Sequence, residues 1–283
     1  MKLLSYENAG QSSWGMLSED GGVIEGRALA QGRYTSLRQV LQAQALPEIA
    51  SAVRGRTADY DRDDLRLLPV IPDPGKIVCV GLNYEEHRRE TNREPTGEPT
   101  LFLRFATSQV GHGQAILCPA ESSKLDYEGE IAIIIGKGGR RIAEADAYTH
   151  IAGYAPYNDA SVRDWQQHTT QWTPGKNFDA TGAFGPWMVT RDEIPDGADL
   201  PLTTRLNGEV VQHATTAQLI FGIPRLIHYV SRFATLEPGD VIVTGTPGGV
   251  GFKRNPPLFM KAGDMVEVEV GGVGTLANTV SAG

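Results

Sequence analysis

Asp126-Tyr127-Glu128-Gly129-Glu130-Ile131-Ala132-Ile133-Ile134-Ile135 is the stretch on which the fold turns. Acidic residues lead into an unbroken apolar run, so this segment enters a strand buried on both faces. Residues two apart in a strand point the same way, about 6.5–7 Å from one another. Glu128 and Glu130 therefore share a face. Two like charges at the mouth of a buried strand repel and lose hydration. Either both acids stand in water at a solvated strand end, or a divalent cation between them offsets both costs. Carboxylate oxygens suit Mg²⁺, Mn²⁺ or Ca²⁺ rather than Zn²⁺.

A third carboxylate lies downstream. The apolar run Ile151-Ala152-Gly153-Tyr154-Ala155 is followed by Tyr157-Asn158-Asp159-Ala160-Ser161-Val162-Arg163-Asp164-Trp165-Gln166. This reads as strand, turn and the start of a helix running from Ser161 to about Thr169. Asp159 either caps that helix or sits at a strand's C-terminal end, where ligand sites lie in sheets. Arg163 and Gln166 are three apart and project from one side of the helix. A carboxylate, a guanidinium and an amide from one turn suit an anionic, oxygen-rich substrate held beside a cation.

The rest of the chain fits a strand-rich fold. Ile77–Val80, Leu101–Phe105, Val241–Thr244 and Met265–Val270 read as strands, and Asn207-Gly208 as the turn of a hairpin. Helices are few: one over Asn83–Thr91 with Asn83 as N-cap, and the longest from near Pro224 to Phe233, with Leu226, Ile227, Val230 and Phe233 on one stripe. Strands do not alternate with helices, so the class is α+β, mostly β, and not a doubly wound sheet. The opening residues differ. Short strands are expected at 3–6 and 13–17, a helix capped by Ser36 over 36–46, and a strand over Leu65–Ile71. Pro72-Asp73-Pro74-Gly75 then reads as a linker. The expected organisation is a small N-terminal domain, 1–71, and a catalytic domain, 72–283.

Composition excludes several functions. The 283 residues carry a net charge of −8 and no Lys/Arg cluster, so nucleic acid is not an expected partner. No apolar run approaches the roughly 18–20 residues of a membrane span. The start, MKLLSYENAG, lacks a signal peptide's apolar region, which leads us to expect a cytoplasmic protein. Cys79 and Cys118 sit in apolar runs and read as reduced core thiols.

Taken in order, the motifs resemble those of the fumarylacetoacetate hydrolase family. They are Val80-Gly81-Leu82-Asn83-Tyr84 with His87 and Glu90; Asp126 to Glu130; Asn158-Asp159 with Ser161 and Arg163-Asp164; Gly175-Lys176-Asn177-Phe178-Asp179; Gly185-Pro186-Trp187; and Leu236 to Asp240 leading to Thr244-Gly245-Thr246-Pro247. The likeness covers roughly residues 76–280. It implies a rolled mixed β-sandwich catalytic domain, with the first ~70 residues as the variable small α/β domain of many members. It also implies a homodimer and a divalent metal, normally Mg²⁺, held by Glu128, Glu130 and Asp159. The family cleaves carbon–carbon bonds in 1,3-diketo acids and acylpyruvates, and some members decarboxylate oxaloacetate or isomerise enols.

A β-diketone cleaved by water needs polarised carbonyls, a stabilised enolate and a base matched to neutral pH. His87 and Glu90, at i and i+3, share a helix face. They are either an exposed ion pair or a base with its orienting carboxylate. The resemblance assigns them to water activation on a mobile lid, and the polar, Pro/Gly-bearing stretch 90–99 suits such a segment. It places Lys176 at the substrate carboxylate or developing oxyanion. Tyr157, Arg163, Gln166 and Thr246 are candidate substrate contacts. The Gly-rich run 244–251 lacks the Lys-Ser/Thr ending of a phosphate loop and is rejected as one. His112, His150, His168, His213 and His228 form no ligand-spaced pair. Many family members read Phe-x-Lys-Pro where this chain has Phe102-Leu103-Arg104-Phe105, a departure that bears on the substrate pocket.

The leading expectation is a metal-dependent hydrolase of an acylpyruvate-type diketo acid, such as fumarylpyruvate, in aromatic-compound breakdown. Its alternative is decarboxylase, lyase or isomerase chemistry on a 2-keto acid such as oxaloacetate. A third reading, a non-catalytic binding protein, is disfavoured by the intact dyad and carboxylates.

Overall fold

The Gly129–Ile135 strand lies inside a twelve-stranded mixed sheet in a computed structural model that describes residues 1–283. Every residue of that strand is buried. Its faces serve different cores, as the strand period demands. Ile131, Ile133 and Ile135 join one apolar cluster, while Ala132 and Ile134 join another. Each fully buried isoleucine contributes about 1.5–3 kcal/mol relative to exposure.

One flank of the strand is the antiparallel Ile151–Asn158, and the other is Val241–Val243. Beyond the latter come Ile77–Gly81, in parallel, and the edge strand Thr100–Arg104. A five-stranded sheet, which includes Pro201–Leu206, Met265–Val270 and Gly274–Ala282, packs over Gly129–Ile135 and Ile151–Asn158. Apolar side chains from both sheets fill the larger core, giving an α+β, mostly β, rolled sandwich. No helix is long and apolar enough to cross a membrane.

Several expected elements form. Asn207 (φ 53°) and Gly208 (φ 83°) make the hairpin turn between Pro201–Leu206 and Glu209–Thr215. The longest helix is Ile223–Phe233, its Leu226, Ile227 and Val230 buried, whereas Phe233, expected on the same stripe, is exposed at the helix end. Ser36 caps Leu37–Gln42 by accepting from the Gln39 N–H. That helix ends where Gln44 takes φ 54°, and a separate helix, Leu46–Ala52, follows with proline in its first turn.

The large sheet takes in strands from both sides of the Pro72–Gly75 segment. Lys2–Asn8 pairs with Met188–Thr190 and extends the large sheet, Leu3 opposite Met188. Leu3, Trp14 and Val40 share one core with Cys79 and Val241. The first 71 residues bury their apolar face on the same sheet that carries the acids.

Candidate metal centre and catalytic cavity

Strand register brings the three acids together. Glu130 is paired with Tyr157, so two steps along the antiparallel ladder Glu128 faces Asp159. The Asp159 N–H donates to the Glu128 carbonyl at 2.8 Å, continuing the pairing past the strand end. The three carboxylates then share a face, and one oxygen from each lies within 4.8 Å of the others. All three are buried, which removes the solvated strand end. Asp159 caps no helix: its oxygens accept from Arg104 and Lys176.

Each carboxylate is held differently. Glu128 accepts from Arg163 at 2.6 Å and from Lys176 at 2.6 Å. Burial alone would raise its pKa, yet Arg163, Lys176 and His87 together hold it below the usual carboxylate range. Asp159 faces Arg104 at 2.6 Å on one oxygen and Lys176 at 2.7 Å on the other. Glu130 has no side-chain cation within ion-pair distance and accepts from the Gly245 N–H at 2.6 Å. Burial, then Asp159 and Glu128, push its carboxyl well above the ordinary value. The acids Asp126, Glu128, Glu130 and Asp159 thus face Arg104, Arg163 and Lys176, with Glu130 least compensated. A hard divalent cation fits this all-oxygen set and the charge deficit at Glu130.

A pH dependence follows. A carboxyl with a raised folded pKa adds stability below its unfolded value and loses it as pH rises through the folded value. Metal-free protein should therefore weaken at Glu130 as pH rises, whereas a cation binds the ionised form. The gap in Tm between manganese-loaded and EDTA-stripped protein is expected to widen from about pH 5 to about pH 8. Thermal melts at fixed ionic strength check this, and a gap that narrows over the range would contradict it.

The acids open onto a cavity of about 1020 Å³, lined among others by His87, Glu128, Glu130, Arg163, Gln166, Lys176 and Thr246. His87 stands on the short helix Glu85–Glu90, and its Nδ1 meets Glu90 Oε1 at 2.7 Å. Glu90's other oxygen accepts from the Gly249 N–H at 3.1 Å. The carboxylate thus orients the ring through Nδ1, and Nε2 is left outside that contact. The dyad is not an exposed pair, because the His87 side chain is only 7% accessible.

Asn83 does not cap the helix. The N-cap is Tyr84, and the Asn83 amide donates to the carbonyls of Phe221 and Thr244 while its oxygen accepts from the Phe221 N–H. Asn83 ties the dyad's helix to the Gly-rich loop. That loop is no phosphate cradle. The N–H groups of Gly245, Gly249 and Gly251 are taken by Glu130, Glu90 and Asp126. Gly245 has φ 103°, and a Cβ there would fall 2.8 Å from the Asn83 Cβ, so its amide reaches Glu130 only as glycine.

Lys176 ends a one-turn helix, Thr173–Lys176, with its ammonium 4.6 Å from the Phe102 ring centroid. Arg163 opens the one-turn helix Arg163–Gln166, shorter than the expected span. It bonds Asp126, Glu128 and Gln166, while its Nη2 is buried without a partner. Thr246 is fastened by Gln212 and the Gly129 carbonyl.

Tyr157 is a correction. It lies in the core beside Phe184, fully enclosed, and is not on the cavity wall. Its register partner is Glu130, and it lies two residues before Asp159 on the strand that leads to the site. Arg104 is likewise absent from the wall and stands behind Asp159, whereas Phe105, where many members have proline, lines the cavity, so the departure from Phe-x-Lys-Pro reaches both an acid and the pocket. Asp126, quoted in the motif without a role, orients Arg163 and accepts from the Gly251 and Phe252 N–H groups. Its place inside an acidic motif was the available signal. The Phe252 ring, 4.3 Å from the Arg163 guanidinium, was not foreseen because its loop has no periodicity. His112, His150 and His228 use Nδ1 on backbone groups remote from the acids.

Comparison with known proteins decides the family. The model of the fumarylacetoacetate (FAA) hydrolase C-terminal domain matches residues 76–281. The chain belongs to the fumarylacetoacetate hydrolase family. It is 40% identical over 287 residues to the mitochondrial oxaloacetate tautomerase fahd2 of Xenopus laevis, covering 99% of this chain and 90% of that protein. Among solved structures it is similar to a fumarylacetoacetate hydrolase from psychrophilic Exiguobacterium antarcticum, at 35% identity and TM-score 0.83 with 100% of each chain covered. A maleylpyruvate hydrolase from Sphingobium sp. SYK-6, in complex with manganese(II) and pyruvate, matches at 27% identity and TM-score 0.83 over 100% of both chains. Such likenesses make the chain a member of an enzyme superfamily with an acidic cluster fit for a divalent metal.

Proposed function

We propose that this protein interconverts the keto and enol forms of a small 2-oxo dicarboxylic acid of the oxaloacetate type, using Mg²⁺ or Mn²⁺ at Glu128, Glu130 and Asp159. The observation that carries the reading is a carboxylate-oriented imidazole and a buried acidic triad on one cavity. Enolisation needs a base for the carbon-bound proton and a sink for the charge left on oxygen. The relatives named oxaloacetate tautomerase support this choice over carbon–carbon hydrolysis.

His87 Nε2 takes the proton from the carbon beside the 2-oxo group. The C–H electron pair becomes the carbon–carbon double bond, and the carbonyl pair moves onto oxygen. A divalent cation bound to the triad would polarise that carbonyl and stabilise the enolate charge. The Lys176 ammonium, kept charged by Asp159 and Glu128, steadies the charge on this oxygen, which takes a proton from solvent while the imidazolium gives its proton back to solvent; the reverse reaction runs the same steps backwards. Glu90 steadies the imidazolium in between. The unpartnered Nη2 of Arg163 offers a donor to a substrate carboxylate, with Gln166 beside it. The polar stretch after Glu90 brings Asn92 and Arg93 to the cavity mouth, where closure would exclude water.

A second reading, hydrolysis of an acylpyruvate, is favoured by the cavity's volume and by the likeness to maleylpyruvate hydrolase. In it His87 deprotonates water in place of substrate carbon. The test follows enol-oxaloacetate decay by ultraviolet absorbance, alongside CO₂ release and cleavage of acylpyruvates, with and without EDTA. We expect metal-dependent acceleration of ketonisation with no CO₂ and slower acylpyruvate cleavage. Cleavage outpacing ketonisation would move the assignment to the hydrolase, and ketonisation surviving complete chelation would remove the cation from it.

A further inference from the structure

Two cations on the cavity wall have no role in the chemistry above. Lys253 and Arg93 line the cavity, are exposed and form no ion pair. The only carboxylates on that wall, Glu128 and Glu130, belong to the acidic cluster at its inner end. Lys253 is held in a fixed relation to Arg163. The buried Asp126 accepts from Arg163 Nε at 2.8 Å and from the N–H groups of Gly251 at 2.8 Å and Phe252 at 3.0 Å, so one carboxylate anchors both the guanidinium and the loop. The centroid of the Phe252 ring then lies 4.3 Å from the Arg163 guanidinium and 5.1 Å from the Lys253 ammonium. Arg254, the next residue, is committed to the carbonyls of Gly249 and Val211. Lys253 is therefore the free cation of an anchored loop, one aromatic ring away from the guanidinium whose Nη2 has no protein partner.

Positive charge on the wall is thus divided in two. The inner cations, Arg163 and Lys176, already face Asp126, Glu128 and Asp159. The outer cations face no acid, so their field acts on whatever enters. A 2-oxo acid with one carboxylate uses only the inner end, whereas a second carboxylate gains from an uncompensated cation further out. We propose that Lys253 is a specificity-determining residue that receives the second carboxylate of the substrate, with Arg93 as the weaker second donor, so that the site selects dianionic over monoanionic 2-oxo acids. This inference rests on the enolisation reading above and names the group that reads the far end of the substrate. Arg93 lies beyond the dyad's helix, and its carbonyl accepts from Arg88 on that helix.

The experiment measures exchange of the C3 protons for deuterium by NMR, with MgCl₂ present and the spontaneous rate subtracted. The substrates are oxaloacetate and 2-oxobutyrate, equal in chain length and different by one carboxylate. Wild type is expected to show a kcat/KM for oxaloacetate at least about tenfold above that for 2-oxobutyrate. Lys253→Met keeps the apolar stem without the charge, and should lower this ratio about five- to tenfold, through KM for oxaloacetate more than through kcat. Lys253→Arg should restore most of the ratio, and Arg93→Gln should lower it by about two- to threefold. Added salt screens exposed charges, so raising NaCl should erode the ratio in wild type and change it little in Lys253→Met. A merely structural lysine would give neither the rescue nor the salt response. A ratio unchanged in Lys253→Met, or an equal fall with both substrates, would overturn the role of Lys253 and leave the enolisation reading standing. A wild type that exchanges neither substrate would overturn that reading and this inference with it.

Discussion

Replacing His87 with asparagine is expected to cut turnover of an enolisable 2-oxo dicarboxylate by about 10²–10⁴-fold, the range of a lost general base. Cation affinity should hold, because His87 is not among the clustered carboxylates. Asparagine retains a polar group near Glu90 but offers no nitrogen lone pair to accept a proton. Glu90→Gln should cost less: the amide can still meet His87, while the imidazolium formed in the reaction loses its counter-charge. The measurements are kcat and KM for both variants, with Mn²⁺ titration as the control. Full activity in His87→Asn would end the proposed role. Loss of activity accompanied by loss of cation binding would show that the dyad acts through the metal site.

Glu130→Gln should produce opposite signs in two measurements. Activity should fall by about 10³-fold or more, since a cation's charge stabilisation is worth several kcal/mol. Metal-free protein, however, should become more stable, by about 1–3 kcal/mol, because a buried charge with little compensation is removed. The amide oxygen can still accept from the Gly245 N–H. Glu128→Gln makes the contrast. Glu128 is paired with both Arg163 and Lys176, so its neutralisation leaves buried cations short of a partner. Metal-free Glu128→Gln should lose about 3–5 kcal/mol. Denaturant unfolding of stripped proteins separates the two, and a destabilised Glu130→Gln would show that Glu130 is better compensated than its contacts indicate.

The acids were legible because their signals are local. Glu128 and Glu130 obey the two-residue period of a strand, and the apolar run after them marks that strand as buried. His87 and Glu90 obey the helical i, i+3 spacing, and they do touch. Asn207-Gly208 and the Ile223–Phe233 stripe were readable for the same reason: a turn's φ requirement and a helix face each lie within a few residues. Asn83 misled because a cap and a long-range staple use the same side-chain atoms, and only the position of Phe221, 138 residues away, separates them.

Residue order alone therefore determined the class of fold and that Glu128 and Glu130, and His87 and Glu90, each share a face, while leaving open whether they stand in water. Tertiary structure decided what surrounds them. It put Tyr157 in the core, carried the sheet across the Pro72–Gly75 segment and set Arg104 against Asp159, 55 residues apart. Strand and helix periods say which way a side chain points within its own element. They are silent on which distant element packs against it, because that depends on sheet order and strand register, and these are set by the burial of the whole chain at once.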